Sequence, residues 1–129
     1  MHWWSYLMRL RELRTDEAPF MYEWMQDDDV VQYLWNDFKT KKISDCESFI
    51  SSSLKETNNL NLAIVDDNDT YMGTVSLKKI QNGVAEFGIV VRKQAMGKGY
   101  SKYGMDEIFR IGFEKLKLEV QYIKMWDHM

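Results

Sequence analysis

Alternation of apolar and polar residues along short segments of the chain predicts five β-strands. The first covers residues 6–13, where apolar side chains alternate with arginines. Residues 60–65, 71–80 and 84–91 have the same strand-like character, and polar turn-forming residues separate them. Because a short polar turn joins antiparallel neighbours, these three segments predict an antiparallel meander. A fifth strand is predicted within residues 118–126.

Between these strands, apolar residues recur every three or four positions, which predicts amphipathic helices. Thr15 is the predicted N-cap of the first helix, with Asp16 and Glu17 in its first turn. The three acids at residues 27–29 are predicted to cap a short second helix. Three adjacent acids are also compatible with a metal site, which is the alternative interpretation.

Two further helices are predicted from a capping signal and a glycine turn. Ser44 with Glu47 resembles a capping box, and the apolar face that follows it is Cys46, Phe49, Ile50 and Leu54. A long fourth helix is predicted to follow Gly97. Its apolar face consists of Met105, Ile108, Phe109, Gly112, Phe113 and Leu116. Gly104 and Gly112 are expected to let this helix lie close to the sheet.

The predicted order β, α, α, α, β, β, β, α, β indicates a single α/β domain over residues 1–129. Its sheet is expected to be mixed and mostly antiparallel, with helices flanking it. The long helix is a crossover, so the last strand should be parallel to the fourth. Ligands of such sheets bind at the carboxyl ends of strands, where the pairing pattern changes. The glycine turn after residues 84–91 falls at that place.

Composition narrows the class of protein. With 45% hydrophobic residues, a chain of 129 residues can bury one core. Its 17 basic and 20 acidic residues are mixed along the chain, so a nucleic-acid partner is not expected. No apolar run approaches the roughly 20 residues of a membrane span, and the N-terminus lacks the pattern of a signal peptide. A cytoplasmic protein without a membrane partner is therefore expected.

Cysteine and histidine residues point to neither disulfides nor a metal site. Cys46 is the one cysteine, and it is expected to be a buried thiol rather than a nucleophile. His2 and His128 lie at opposite ends of the chain, without the spacing of metal ligands. The acidic turn at residues 66–69 lacks the calcium-loop pattern, so a solvated hairpin turn is the favoured interpretation.

Residues 94–101 carry the strongest functional signal, because two glycines there open a helical pattern directly after a strand. Glycine lets the backbone approach an anion closely, and the free N–H groups of a helix N-terminus can bind phosphate. The spacing is not that of a Walker A loop, and Lys102 occupies the third glycine's place in a Gly-x-Gly-x-x-Gly motif. A purely steric role for the glycines is the alternative.

Three further segments join this turn in resembling a known family. Residues 94–99, Gln-Ala-Met-Gly-Lys-Gly, are similar to the Gln/Arg-x-x-Gly-x-Gly/Ala motif of the GNAT superfamily of acetyl-CoA-dependent N-acetyltransferases. Residues 10–16 resemble that family's first strand and helix start, residues 72–75 its third strand, and residues 85–89 its fourth. The details are closest to the branch of ribosomal-protein alanine and spermidine acetyltransferases. The resemblance covers roughly residues 7–126 and implies a GNAT-like fold.

The resemblance implies a binding site for acetyl-CoA, the acyl donor. Its pyrophosphate would lie on the amides of residues 94–99, with Lys98 adding charge. Its pantetheine arm would pair with residues 89–91, where the fourth and fifth strands splay apart, and one N–H there would polarise the thioester carbonyl. The expected cofactor-binding residues are Ile89, Val90, Val91, Gln94, Ala95, Met96, Gly97, Lys98, Gly99 and Tyr100.

The implied reaction is direct attack of an uncharged primary amine on the acetyl carbonyl. A base is useful because amines are mostly protonated near neutral pH, and Glu86 is the candidate by position. Strand alternation puts Glu86 on the face of Gly88 and Val90, away from Phe87 and Ile89. A structural carboxylate, paired with a lysine or exposed at the strand edge, is the alternative.

The acceptor would be a small-molecule or peptide amine. In the family, the first two helices and nearby loops usually build the acceptor pocket, so the candidates are Trp24, Tyr33 and Trp35, with Asp37 beside them. Aromatic rings beside acids can hold a cation, including a polyamine. Core packing is the alternative for these residues. No metal is expected in the reaction.

Relatives in the family usually continue past the fifth strand into a helix whose tyrosine can protonate the leaving thiolate. This sequence ends at Met129, so the resemblance implies a domain truncated at its C-terminus. A truncated, inactive relative that binds CoA or a protein partner is therefore the alternative function. Tyr100 and Tyr103 are not favoured as substitute acids, because both are expected to pack on their helix. An exposed edge strand could be covered by a second copy, which would give a homodimer.

Overall fold

A five-stranded sheet organises the molecule. The computed structural model describes residues 7–32, 34, 37–118 and 120–123. The strands are Met8–Glu12 (β1), Leu60–Asp66 (β2), Tyr71–Gln81 (β3), Val84–Val91 (β4) and Val120–Ile123 (β5). They lie in the order β1-β2-β3-β4-β5, with antiparallel pairing up to β4 and parallel pairing between β4 and β5. The predicted meander and the predicted parallel last strand are confirmed.

Helices precede the meander and follow it. The α-helices are Ala18–Met25 (α1), Asp28–Val31 (α2), Ile43–Ser53 (α3) and Tyr100–Arg110 (α4). Short 3-10 turns form at Thr15–Glu17, Phe38–Thr40 and Lys93–Ala95, and a π-helical turn at Ile111–Lys115 extends α4. None of the helices built by the described residues has the length and apolar character needed to cross a membrane.

Strand alternation divides the core into two layers, one on each face of the sheet. On one face, α1 to α3 pack against side chains that include Val65, Tyr71 and Val90. On the other face, α4 packs against a cluster that includes Phe87 and Val91. Successive residues of a strand point to opposite faces, so Glu86 shares the face of Val90. The predicted mixed α/β fold with flanking helices is confirmed.

Two buried glycines allow close approach between elements. A Cβ built at Gly104 of α4 would lie 2.6 Å from Cδ1 of Ile64, which confirms that this glycine lets α4 lie close to the sheet. A Cβ at Gly73 of β3 would collide with the carbonyl oxygen of Val90 and lie 2.9 Å from the Cα of Val91. Both of these atoms belong to the backbone of β4, so β3 and β4 can approach as they do only with glycine at position 73.

The predicted helix starts at Thr15 and Ser44 were wrong. Thr15 is the first residue of a 3-10 turn, and the N–H of Arg14 before it donates to Oε1 of Glu17 at 2.9 Å. Helix α3 follows Lys42, whose N–H donates to Oδ2 of Asp45 at 2.8 Å. In both places an acid three residues on accepts from the cap residue's N–H, and this bond outweighs the preference for a hydroxyl side chain at the cap.

Other helix predictions had mixed outcomes. The capping interpretation of the three acids is confirmed, because Oδ1 of Asp27 accepts from the N–H of Asp29 at 3.0 Å. Cys46 and Ile50 are buried on α3 as predicted, but Leu54 follows the last helical residue and is 51% exposed. The predicted apolar face of α4 also ends early, since Phe113 and Leu116 are exposed. The change to π-helical geometry at Ile111 turns these residues out of that face.

Candidate functional site

The glycine turn lies at the carboxyl end of β4, where the chain crosses to α4. After Arg92 the backbone forms the Lys93–Ala95 turn, in which the N–H of Ala95 donates to the carbonyl of Arg92 at 2.9 Å. The N–H of Met96 donates to the carbonyl of Lys93 at 3.1 Å. Ala95 is buried, whereas Gln94 and Met96 on either side of it are exposed. Ala95 therefore anchors a segment whose other side chains face solvent.

Both glycines of the turn adopt left-handed backbone conformations. Gly97 has φ +75°, and Gly99 has φ +91° as the N-cap of α4. Within the described residues, the N–H groups of Gly97, Lys98 and Gly99 donate to no backbone carbonyl with normal hydrogen-bond geometry. The start of α4 adds the donors that any helix N-terminus leaves without an intrahelical acceptor. Such a set of N–H groups is suited to an anion.

The side of β4 that faces away from β3 carries a second set of backbone donors. The N–H of Arg92 donates to the carbonyl of Met72 on β3 at 2.8 Å. Because N–H groups alternate sides along a strand, those of Ile89 and Val91 point away from β3, toward the side on which β5 lies. The β5 pairing runs from Val84 to Phe87 of β4, and Ile123 opposite Phe87 is the last described residue of β5. The predicted splaying of the fifth strand from residues 89–91 stays a prediction, because the residues after Ile123 lie outside the described part of the chain.

Arg92 stands between β4 and the glycine turn, and its side chain is only 10% exposed. Its Nη2 donates to Oε1 and Oε2 of Glu23 on α1, both at 2.8 Å, and its Nε donates to Oε1 at 3.0 Å. Its Nη1 donates to the carbonyl of Tyr71 at 3.3 Å. The guanidinium carbon lies 4.6 Å from the ring centroid of Phe20. The sequence pattern did not predict these contacts of Arg92, although it does show an arginine directly after an apolar strand.

Lys93 makes a second ion pair to the same helical layer. Its Nζ lies 2.7 Å from Oδ2 of Asp29, at the start of α2. Asp29 raises the pKa of Lys93, first through this hydrogen bond and then through its charge. Both side chains are more than half exposed. Adjacent residues therefore pair with α1 and α2, Arg92 through a buried guanidinium and Lys93 through an exposed ammonium.

Glu86, the predicted base, lies near the opposite end of β4. Its Oε1 is 3.6 Å from Nζ of Lys79, and the Glu86 side chain is 23% exposed. With Lys79, Gln81 and Asn82 it lines an open depression of about 400 Å³ beside the β3–β4 hairpin. A half-buried carboxylate beside a solvent-open depression is accessible to an amine or a water. The contact with Lys79 is also what the structural alternative requires.

The residues predicted to contact the acceptor amine are one buried residue, one exposed residue and two outside the described part of the chain. Trp24 is fully buried, its Nε1 donates to the hydroxyl of Tyr71 at 3.2 Å, and its ring lies edge-on to Phe38. These are the contacts of a core residue. Tyr33 and Trp35 lie outside the described residues. Asp37, beside them in sequence, is exposed.

Burial shifts the titration of the other candidate side chains away from neutral pH. Burial raises the pKa of the Cys46 thiol to about 11, and its Sγ lies 3.6 Å from Sδ of Met25. Cys46 is therefore an inert core thiol, as predicted. Burial also raises the pKa of Tyr100 and of Tyr103, with nearby Asp66 adding to the effect at Tyr100. Both tyrosines pack in the layer of α4, as predicted.

The sequence pattern also did not predict a cluster in which arginines on β1 and just after it pair with Asp69 of the β2–β3 turn. Arg11 donates to both carboxylate oxygens of buried Glu17, at 2.6 and 3.0 Å, and to Oδ1 of Asp69 at 2.7 Å. Arg9 and Arg14 also pair with Asp69. The hydrogen bond from Arg11 is the main reason that the pKa of Asp69 is lowered to about 2. This network ties the β2–β3 turn to the start of α1, so its role is structural.

Comparison with known proteins assigns this arrangement to a family. The family profile described as Acetyltransferase (GNAT) domain matches residues 8–128. No curated protein matches the chain in sequence. The solved structure of spermidine N-acetyltransferase from Vibrio cholerae in complex with CoA and spermine is similar, with a TM-score of 0.80 and 19% identity. This match covers 92% of the present chain and 70% of that one.

A second similar structure is the dodecameric form of spermidine N-acetyltransferase from Vibrio cholerae in an intermediate state. Its TM-score is 0.72 at 19% identity, over 92% of the present chain and 69% of that chain. At such identities the likeness establishes the fold. The resemblance drawn from the glycine turn and the strands around it is thereby confirmed at the level of the family.

Proposed function

Because the chain belongs to the GNAT acetyltransferase family, we propose that it transfers the acetyl group of acetyl-CoA to a primary amine. The observation that carries the proposal is the turn of residues 94–99. Its two glycines have positive φ, and among the described residues the amides of residues 97–99 donate to no backbone carbonyl with normal hydrogen-bond geometry. That arrangement fits a pyrophosphate better than it fits a turn with a purely steric purpose.

Residues of the turn and of β4 would divide the binding of the donor between them. The amides of Gln94 to Gly99 would hold the pyrophosphate, and exposed Lys98 would add positive charge. Ala95 would hold the turn against the protein core. Tyr100 and Met96 would lie on either side of the bound acetyl-CoA. When bound, acetyl-CoA supplies an activated thioester, so the chain needs no nucleophilic side chain of its own.

The side of β4 that faces away from β3, beyond Phe87, would position the arm that carries the thioester. An extended, amide-containing arm can pair with a strand edge as an added strand does. The N–H groups of Ile89 and Val91 point to that edge, with Val90 between them facing the helices. One of these two N–H groups would stabilise the oxyanion that forms as the amine attacks. Backbone donors suit this purpose because the sheet holds them in place before the reaction.

Glu86 is the proposed base that removes a proton from the amine, directly or through a water. It faces the layer of α1 to α3, on which the family usually builds the acceptor pocket. Its partner Lys79 is 65% exposed, so the ion pair is open to solvent and contributes little to stability.

The acceptor is proposed to be a small-molecule or peptide amine, with Trp24, Tyr33 and Trp35 as candidate contacts. The similar enzyme from Vibrio cholerae was solved with spermine, so a polyamine is the first acceptor to test. Among these candidates Trp24 is the weakest, since its indole is fully buried. It would contact an acceptor only after a rearrangement of the helices.

The proposal is tested by thermal unfolding and acetyl-transfer assays with acetyl-CoA and a panel of amines. A ligand at about 100 times its Kd should stabilise the fold by about 2.7 kcal/mol. S-acetyl-pantetheine, which lacks the pyrophosphate, is the matched control and should stabilise much less. Stabilisation with turnover supports the enzyme, whereas stabilisation without turnover favours a CoA-binding module. A folded chain that acetyl-CoA does not stabilise contradicts both.

A further inference from the structure

Arg92 is the residue at which the buried sheet passes into the exposed glycine turn. Its backbone is held on both sides, since its N–H donates to the carbonyl of Met72 and its own carbonyl accepts from the N–H of Ala95. The first bond continues the β3–β4 ladder, and the second closes the 3-10 turn. The direction in which the turn leaves the sheet is therefore set at Arg92.

The side chain of Arg92 fixes the same residue from a different direction. Its guanidinium makes three hydrogen bonds to the carboxylate of Glu23 and one to the carbonyl of Tyr71. Phe20, one helical turn before Glu23, covers the planar face of the guanidinium. Four donated bonds and a stacked ring leave this side chain little rotational freedom. Helix α1 thus holds the residue from which the turn begins.

We propose that Arg92 is a positioning residue for the donor site, and that it acts through Glu23 of α1 rather than by contact with the donor. This inference rests on the proposed function of the turn as the pyrophosphate site. The Arg92 side chain is 10% exposed, and four of its five N–H groups donate to Glu23 and Tyr71. Through Arg92, the layer of α1 to α3, where the acceptor pocket is expected, sets the geometry of the turn that would bind acetyl-CoA.

Glu23→Gln separates positioning from simple electrostatics, because the two predict opposite signs. CoA carries several negative charges, so removing a nearby carboxylate should tighten its binding if charge alone matters. If Arg92 touched the phosphates directly, releasing it from Glu23 would also tighten binding. Positioning predicts that the Kd for CoA rises roughly tenfold, because a misdirected turn places its donors off target. The probe is CoA itself, measured by calorimetry.

A second readout needs no ligand. Hydrogen exchange at the N–H of Ala95, which donates to the carbonyl of Arg92, reports directly on the turn. Glu23→Gln should speed this exchange roughly tenfold if Arg92 sets the turn. Lys93→Met is the matched control for this readout, because it removes an exposed ion pair one residue away and should leave the exchange at Ala95 unchanged.

Arg92→Met and the double variant with Glu23→Gln complete the test. Residues that act as one unit are not additive, so the double variant should bind CoA no more weakly than Arg92→Met alone. Unchanged exchange at Ala95 in Glu23→Gln, or equal or tighter CoA binding by that variant, would overturn the proposal. If the wild-type protein does not bind CoA, the proposed function fails, while the exchange at Ala95 still decides whether Arg92 positions the turn.

Discussion

The two ends of β4 carry different kinds of candidate functional groups. At the carboxyl end, Arg92 is buried against α1, and beyond it the backbone presents the amides of Gly97 to Gly99. At the amino end, Glu86 and Lys79 form a solvent-open ion pair beside the β3–β4 hairpin. One end offers fixed backbone donors and the other a half-exposed side chain. Under the proposed function, donor binding would depend on backbone geometry, whereas proton transfer would depend on a single carboxylate.

Burial of the supporting contacts predicts that the carboxyl end is the more rigid of the two. Gly73 of β3 lies against Val90 and Val91 without room for another atom. The guanidinium of Arg92 is nearly enclosed. By contrast, Lys79 has φ +55°, and the β3–β4 register shifts between Lys78 and Gln81. We therefore expect the carboxyl end to respond to packing changes and the amino end to respond to charge changes.

The largest expected effect is on stability at the carboxyl end. Gly73→Ala adds a methyl group that meets backbone atoms of β4, so the free energy of unfolding should fall by about 3 kcal/mol. Gly104→Ala is the control, because its methyl group meets the flexible end of Ile64 and alanine favours a helix by about 1 kcal/mol. Urea unfolding of both variants checks this. Equal losses would mean that the strands separate more easily than their contacts indicate.

The next effect is on turnover at the amino end. Glu86→Gln should lower kcat about a hundredfold if Glu86 is the base, with little change in the Kd for acetyl-CoA. Lys79→Met is the control for a structural role, because it removes the same ion pair but leaves the carboxylate. Steady-state rates measured across pH 6–9 check the assignment. An unchanged pH–rate profile in Glu86→Gln would exclude it as the base, and an equal loss in Lys79→Met would favour the structural alternative.

A matched pair of glycines compares the two ends directly. Gly97 and Gly83 have φ +75° and +79°, and Gly83 lies in the β3–β4 hairpin at the amino end. Alanine at either position should cost about 1–2 kcal/mol of stability, because φ remains left-handed. Only Gly97→Ala should also weaken CoA binding, roughly tenfold. Calorimetric titration of both variants measures this. Equal Kd values for the two variants would speak against the turn as the binding site.

The smallest effect concerns acid stability near the arginine cluster. The pKa of Asp69 is lowered from 3.8 to about 2, chiefly by its hydrogen bond from Arg11. A carboxyl with a lowered folded-state pKa stabilises the fold above its unfolded pKa, and this contribution is lost as pH falls. Asp69→Asn should therefore be less stable than wild type at pH 5–7, and the deficit should shrink between about pH 4 and pH 2.

Unfolding by urea at several pH values checks the last prediction. Asparagine is a well-matched substitution, since Asp69 has φ +63° and asparagine tolerates that conformation. A deficit that stayed constant down to pH 2 would show that the charge of Asp69 contributes nothing to stability. Neither end of β4 should be affected, so CoA binding serves as the control readout.

Sequence alone predicted the sheet and the backbone part of the site. Strand alternation placed β2, β3 and β4 nearly at their observed bounds. The glycine turn could be predicted as well, because two closely spaced glycines directly after a strand are a local signal. Helix starts were less predictable, since Glu17 and Asp45 accept from the N–H groups of Arg14 and Lys42, which precede the predicted hydroxyl caps. Local preferences at a cap are weak when a nearby acid competes.

Contacts between distant residues could not be predicted. Arg92 and Glu23 are 69 positions apart, and Arg11 and Asp69 are 58 apart. Their pairing depends on how the helices lie on the sheet, which no periodicity encodes. Trp24 illustrates the same limit, because an aromatic residue on the first helix suits a pocket wall and a core equally well. Its full burial follows from the packing of α1 against β3 and Phe38.

The most direct test of the account is residue-resolved amide NMR during a titration with CoA. Binding at the carboxyl end of β4 predicts large shifts and slower exchange for the amides of residues 97–99, together with those of Ile89 and Val91. The amides of Val84 and Glu86 at the amino end should change little. CoA binding that left residues 97–99 unperturbed, or that perturbed only the β3–β4 hairpin, would contradict the central claim.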